Sequence, residues 1–228
     1  MPFLCKRESY PMADHTFEYW QRRLDDLAVL LSKHGFAAEV VATAAEARER
    51  IRRVVEEMAP QRVGYADSRT LRATGALDML RADARWEFID GFDRTKSRAE
   101  NLERRREALM SDLFLTGVNA VTERGTLVWL DMVGNRIGGV TFGPRQVILT
   151  VGRNKLVRDR EEAVQRIKTI AAPLNARAHE HFKTPCQVTS RCHDCASPDR
   201  ICNAWLMMER CYPKGRIRVI LINEDLGY

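Results

Sequence analysis

Residues 146–155 read QVILTVGRNK, and this stretch decides the fold that the sequence predicts. Its first six residues form a short, almost continuously apolar run that is rich in β-branched side chains, which is typical of a strand buried on both faces. Similar runs stand at residues 62–66 (RVGYA), 127–130 (LVWL) and 218–222 (RVILI). Segments with helical periodicity separate these runs. Strands that alternate with helices predict an α/β fold with an open, mostly parallel sheet flanked by helices.

The helical segments have recognisable starts and ends. Apolar residues recur at helical spacing from Phe17 to Leu31, which predicts a first helix over residues 17–33 that ends before Gly35. Thr43 with Glu46, and Ser97 with Glu100, have the spacing of capping boxes and predict two later helix starts. We also expect a helix from Asp159 to Pro173, a turn at Gly134-Asn135, and short strands at residues 36–41, 86–89 and 113–115.

The chain is predicted to form one continuous domain with three parts. Residues 1–60 form a helical and α/β segment packed on the core, residues 61–178 form the α/β core, and residues 179–228 form a cysteine-rich segment with a final strand. No repeat or low-complexity linker divides them.

The composition favours a cytoplasmic globular protein. Of 228 residues, 45% are hydrophobic and 30% are charged, and no run of about 18 apolar residues is present. Residues 1–10 lack the apolar core of a signal peptide. The net charge of +6 comes from arginines mixed with glutamates along helices, so nucleic-acid binding is disfavoured and small anionic ligands are favoured.

Five of the six cysteines lie within residues 186–211. Cys186, Cys192, Cys195 and Cys202 have the spacing C-x5-C-x2-C-x6-C, which in a reducing compartment indicates metal binding. A single C-x2-C pair favours an iron–sulfur cluster, of the [4Fe–4S] type, over zinc, which usually has two such pairs. Zinc, a redox disulfide between Cys192 and Cys195, and unligated thiols stay open. Cys211 is a spare ligand or a buried thiol, and Cys5 an ordinary thiol.

A segment rich in small and polar residues follows the strand at 113–115. Ligands of open α/β sheets bind at the carboxyl ends of strands, so Gly117, Asn119 and Thr122 are candidate ligand-binding residues. Glu123 is the acid placed there to act as a base or nucleophile. The alternative for this segment is a turn with a solvated Glu123.

Other strand ends supply further candidates for binding an anion. Ser68, Arg69 and Thr70 follow the strand RVGYA, where helix N–H groups, hydroxyls and a guanidinium favour an anion. Helix capping is the equally good alternative. Asn154 and Lys155 follow QVILTV, and Asn135 adds an amide at the expected turn.

Several of these segments, in this order, resemble the LUD (lactate-utilisation) domain family. They are DSRTLRATGALDML (67–80), TGVNAVTERGTLVWLD (116–131), GNRIGG (134–139), FGPRQVILTVGRNKLV (142–157) and AAPLNAR (171–177), followed by TPC, CHDC and RIC. The similarity runs from about Leu24 to Tyr228. It looks closest to stand-alone members with a cysteine-bearing C-terminal segment.

The resemblance implies a Rossmann-like open sheet, similar to ribose-phosphate isomerase, glucosamine-phosphate deaminase and the CoA transferases. Glu123 before Arg124-Gly125 loosely matches the glutamate that carries the acyl group in CoA transferases. Related lactate-oxidation complexes contain iron–sulfur subunits, so the resemblance also implies a role in the oxidation of lactate or another organic acid.

We therefore expect an iron–sulfur LUD protein that binds a small carboxylate or phosphate and acts as an electron-transfer component or an enzyme. Its partners would be that metabolite and a redox protein, with a homodimer left open. The alternatives are a non-redox isomerase or acyl transferase that holds structural zinc and uses Glu123, and a binding module whose metal only stabilises the C-terminal segment.

Overall fold

The computed structural model describes residues 15–228, which begin with helix α1 and end just after strand β10. In chain order the elements are α1 (His15–Lys33), β1 (Ala37–Val41), α2 (Ala44–Met58), β2 (Arg62–Tyr65), α3 (Arg69–Ala73), α4 (Ala76–Arg81), β3 (Glu87–Ile89), α5 (Arg98–Ala108), β4 (Leu113–Gly117), β5 (Ala120–Thr122), β6 (Leu127–Asp131), α6 (Asn135–Thr141), β7 (Gln146–Gly152), β8 (Leu156–Val157), α7 (Arg160–Arg166), α8 (Ala172–Arg177), α9 (Pro185–Thr189), β9 (Ala204–Met208) and β10 (Ile217–Ile222).

Six strands form an open, wholly parallel sheet in the order β1-β10-β7-β4-β2-β3. Strand β7, from which the fold was predicted, lies at its centre, with Ile148 opposite Leu115 of β4 and Arg218 of β10. Helices cover both faces, so the predicted Rossmann-like α/β fold is confirmed. The first and last strands of the described chain, β1 and β10, are direct neighbours in this sheet.

The two faces of the sheet bury separate hydrophobic cores because successive side chains of a strand point to opposite faces. Val147 and Leu149 of β7 belong to the core that Leu27 of α1 completes. Ile148 belongs to the opposite core, with Ile51 of α2. All five side chains are almost fully buried, which explains why these strands are apolar throughout.

A second sheet has the order β8-β5-β6-β9, and two residues separate its strand β5 from the end of β4 of the first sheet. Strands β5 and β6 are antiparallel, and their turn accounts for the glycine and hydroxyl residues after β4. Trp129 of β6 is fully buried and donates from its indole Nε1 to the oxygen of Gly117, 2.8 Å away at the end of β4. This side chain therefore links the two sheets.

Both predicted capping boxes mark helix starts. The Ser97 box is complete: its hydroxyl accepts from Glu100 N, and the Glu100 carboxylate accepts from Ser97 N. At α2, the Thr43 hydroxyl accepts from Glu46 N as expected. The Glu46 carboxylate, however, accepts from Ala42 N, one residue before the cap.

Three predictions of local structure were wrong. Gly134 and Asn135 do not form an isolated turn but begin α6, with Gly134 in the left-handed conformation as its N-cap. The helix after Asp159 does not stop at Pro173. A π-helical turn over Ile167–Ala171 leads into α8, and Pro173 lies in the first turn of α8, where no backbone donor is required. Residues 204–208 form strand β9, whereas the final strand was the one strand predicted within residues 179–228.

Within residues 15–228, none of the helices combines the length and the apolar character needed to cross a bilayer. The expectations for the N-terminal ten residues and for Cys5 lie outside the described residues.

Candidate functional site

A cleft of about 630 Å³ opens at the carboxyl ends of β2, β3, β4 and β7. The loops after these strands form one wall. The opposite wall comes from the end of β6, the start of α6, the helices from Ile167 to Asn175, and the segment that leads into the cysteines. The cleft thus lies where an open parallel sheet is expected to bind its ligands. A second depression of about 540 Å³, near α1 and β1, contains none of the predicted site residues.

Part of the predicted site converges on this cleft. Its lining includes Ser68, Arg69, Asn119, Asn135, Lys155 and Cys202. Ser68 caps α3 by accepting from Leu71 N, so capping and a place in the cleft coexist in one residue. Gly117 lies directly behind Ser68, since a Cβ at this position would be 2.2 Å from the Ser68 hydroxyl. A glycine here is required for the close approach.

Two predicted ligand residues, Thr70 and Asn154, hold the C-terminal residues instead of lining the cleft. The Thr70 hydroxyl donates to Leu226 O at 2.9 Å, and the Asn154 amide donates to Gly227 O at 3.1 Å and accepts from Leu226 N at 3.2 Å. These bonds bring Tyr228 into the cleft, with its ring 5.3 Å from the Arg69 guanidinium.

Thr122 and Glu123 lie in the β5–β6 turn, away from the residues that line the cleft. The Thr122 hydroxyl accepts from Thr126 N at 3.0 Å and shapes the turn. The Glu123 carboxylate forms an ion pair with Arg23 of α1. The structure therefore does not bring the predicted catalytic acid together with the other candidates.

Lys155 is the most perturbed cation in the cleft. It is 5% exposed, and its ammonium donates to Tyr228 O. Burial, together with smaller contributions from repulsion by Arg166 and Arg136, lowers its pKa to about 7. Arg136 is itself fixed by Asp131, with its Nε 2.6 Å from a carboxylate oxygen. This geometry aims an amine of near-neutral pKa into a cationic cleft.

Four cations that line the cleft were missed in the sequence: Arg94, Lys96, Arg98 and Arg105. They lie in or just beyond the loop after β3. The available signal was their position after a weak predicted strand, because every parallel strand ends at the same edge. His179 and His181 also line the cleft.

The four predicted metal ligands lie within electrostatic range of one another. Burial, together with the charges of Cys192, Cys186 and Cys195 and against the opposing effect of Arg200, raises the pKa of the Cys202 thiol to about 11. Cys192 is exposed and the other three are half-buried. Cys211 is separate from them: it is buried in the core beneath α1, and its thiol donates to Pro213 O.

One side chain organises much of the irregular cysteine segment. The Arg200 guanidinium donates to the backbone oxygens of Cys195 and Cys202 and to the Asp194 carboxylate. Lys168 pairs with the same carboxylate at 2.9 Å. Side-chain bonds here replace the backbone ladder that a helix or strand would provide.

A family model described as the LUD domain matches residues 24–222. The chain belongs to the LUD domain family. Among solved structures, a DUF162-family protein from Deinococcus radiodurans is similar to it, with 14% sequence identity and a TM-score of 0.45 over 90% of this chain and 98% of that one. No curated protein matches the sequence.

The donor set of this LUD domain suits a sulfur-ligated metal centre, because four free thiols lie along one irregular segment and thiolates bind zinc or iron–sulfur clusters. Among residues 15–228, no three His, Cys, Asp or Glu side chains are grouped as ligands of one metal ion. A zinc ion would require its four sulfurs to approach to about 3.8 Å of one another. In a [4Fe–4S] cluster each thiolate binds a different iron atom, so the sulfurs lie farther apart.

Proposed function

We propose that this LUD protein holds a [4Fe–4S] cluster on Cys186, Cys192, Cys195 and Cys202 and binds a small organic anion in the adjoining cleft. The observation that carries this proposal is the position of Cys202. It lines the cleft, and its thiol is coupled electrostatically to the other three. Membership of the LUD family supports a role related to lactate utilisation. The proposed role is in the oxidation of a lactate-type organic acid.

The inner end of the cleft offers groups that suit a carboxylate. Arg136 is anchored to Asp131 and to the Asn119 side chain, so its position is fixed before a ligand arrives. The Lys155 ammonium donates a hydrogen bond to the backbone oxygen of Tyr228. An oxygen of the substrate could accept this hydrogen bond instead. A buried cation bonded to an anionic oxygen recovers part of the free energy lost on its desolvation.

Oxidation of a 2-hydroxy acid to a 2-oxo acid releases two electrons and two protons. A cluster held by Cys186, Cys192, Cys195 and Cys202 would supply one-electron redox chemistry, and a redox partner protein would be the final acceptor of both electrons. Lys155, with a pKa lowered to about 7, would bind the substrate carboxylate as an ammonium group, and the two protons would pass to solvent water.

The test is iron, zinc and acid-labile sulfide analysis, with a visible spectrum, on protein purified without oxygen. We expect iron and sulfide in similar amounts with a brown chromophore. Cys195→Ser should lose both, because it removes a ligand. Cys211→Ser is the matched control, since the thiol it removes lies in the core away from the other four, and it should keep wild-type iron and sulfide.

Stoichiometric zinc without sulfide in the wild-type protein would contradict the proposal and would favour a structural metal with non-redox chemistry. Full iron occupancy in Cys195→Ser would also contradict it, because a fourth ligand would then have to come from elsewhere.

A further inference from the structure

The loop between β3 and α5, residues 90–97, is held in place mainly by groups other than Arg94, Lys96 and Arg98. The Asn101 side chain is almost buried; its oxygen accepts from Asp93 N at 3.0 Å, and its nitrogen donates to Asp93 O at 2.7 Å. Asp90 accepts from the Tyr65 hydroxyl and from Phe92 N. Ser97 and Glu100 close the loop with a capping box. Amides, hydroxyls and carboxylates therefore order this loop, together with Arg81, which pairs with Asp90, and Arg105, which donates to Gly91 O.

Four cations project from this ordered frame into the cleft: Arg94, Lys96, Arg98 and Arg105. In the described part of the chain, no carboxylate lies within ion-pair distance of any of them. Burial lowers the pKa of Arg105, the nearby Asp67 and Tyr65 oppose this effect, and repulsion from Arg98 adds a smaller lowering. Like charges held together in this way destabilise the ligand-free protein.

The remaining arginines of α5 behave differently. Arg104 is paired with Glu87 and Glu107, and Arg106 is paired with Glu103. Neither lines the cleft. Cations on the outer face of one helix are thus neutralised by acids, while those that face the cleft are not. A general excess of arginine in the sequence does not account for this division.

Arg105 has the most specific placement of the four. Its Nε donates to Gly91 O at 2.8 Å, and its guanidinium lies 4.2 Å from the centre of the Phe92 ring. Gly91 permits this packing, since a Cβ there would come within 2.6 Å of the Arg105 side chain. The hydrogen bond engages Nε, and in the described residues the two terminal nitrogens have no recorded partner. A guanidinium fork fixed in this way matches the geometry of a phosphate group.

We infer that Arg94, Lys96, Arg98 and Arg105 form a phosphate subsite at the outer end of the cleft. The ligand class is then an organic anion that bears a phosphate or diphosphate group, with its remaining part toward Lys155 and Arg136. Three arginines and a lysine supply more positive charge than a single carboxylate requires, and a phosphate group carries up to two negative charges. The inference rests on the proposed function only in placing the ligand in the same cleft.

The test is calorimetric titration of the purified full chain with inorganic pyrophosphate at low ionic strength. Arg98→Ala and Arg105→Ala should each weaken binding by about tenfold. Arg106→Ala is the matched control, because it removes the same charge from the same helix outside the cleft, and it should change affinity by less than about twofold. Arg105→Lys keeps the charge without the fork and should give an intermediate loss.

Titration with ADP and with 3-phosphoglycerate tests which kind of organic group carries the phosphate. An affinity about tenfold higher than that of pyrophosphate for either compound would support the inference. Equal losses in Arg98→Ala and Arg106→Ala, absence of pyrophosphate binding to the wild-type protein, or no gain from either organic probe would overturn it. The iron and sulfide content of Arg98→Ala should equal that of the wild type, since the cluster ligands are untouched. This measurement distinguishes failure of the phosphate subsite from failure of the proposed function.

Discussion

At the scale of one residue, the burial of Lys155 lowers the stability of the folded protein and keeps a cation in place for a ligand. Its pKa is lowered to about 7 from an ordinary value of 10.5, so between these pH values the unfolded chain binds more protons than the folded protein. The free energy of unfolding therefore rises with pH across this window, and the full destabilisation is present below pH 7. We expect Lys155→Met to be more stable than the wild type by about 1 to 4 kcal/mol at pH 6.5.

Urea denaturation at pH 6.5 and pH 9 measures this effect, and the advantage of Lys155→Met should fall by about half or more at the higher pH. Lys214→Met is the control, since Lys214 is exposed and its charge stays in water in both states. An equal stability difference at both pH values would show that packing, not the buried charge, distinguishes the Lys155 variant.

The residues that the sequence could identify are those governed by a local rule. Ser68, Arg69 and Lys155 follow buried strands, and the rule that ligands bind at strand ends placed them in the cleft. Thr70 follows the same rule, but its hydroxyl bonds Leu226, 156 positions away. Nothing near Thr70 in the sequence indicates Leu226 as its partner, so this hydrogen bond could not be predicted.

At the scale of elements, the hydrogen bonds of Arg200 hold the cysteine segment in its conformation, as backbone hydrogen bonds do in a helix. One planar fork donates to two carbonyl oxygens and a carboxylate around Cys195 and Cys202. A lysine has the charge without this geometry. For the proposed cluster, we expect Arg200→Lys to lose iron and sulfide about threefold or more faster than the wild type under a chelator. The decay of visible absorbance measures this loss.

Arg191→Lys is the control for this prediction, because Arg191 is exposed in the same segment and does not bond the cysteine carbonyls. The α/β core should unfold at the same urea concentration in all three proteins. Equal rates of cluster loss in Arg200→Lys and Arg191→Lys would contradict the organising role of Arg200.

Elements with a strong internal signal were predictable, and elements made by distant partners were not. The central strands are apolar because both faces are buried, and the helix starts carry their own capping residues. Strand β9 is only half-buried or exposed along its length. It exists because it pairs with β6, more than 70 positions earlier in the chain, and pairing at that distance leaves little trace in local composition.

At the scale of the whole molecule, Trp129 joins the two sheets whose border is the cleft. Its indole is fully buried and bonds Gly117 O at the end of β4, next to the position where Ser68 enters the cleft.

Trp129→Phe removes this bond and leaves a cavity, so we expect a loss of about 2 to 4 kcal/mol in the free energy of unfolding. Trp205→Phe on β9 is the control, since Trp205 is 39% exposed, and it should lose less than about 1 kcal/mol. Urea denaturation followed by circular dichroism compares the two variants. Similar losses would mean that Trp129 contributes apolar area alone, whereas the larger loss expected for Trp129→Phe would identify the inter-sheet bond and its packing as what fixes the cleft between the sheets.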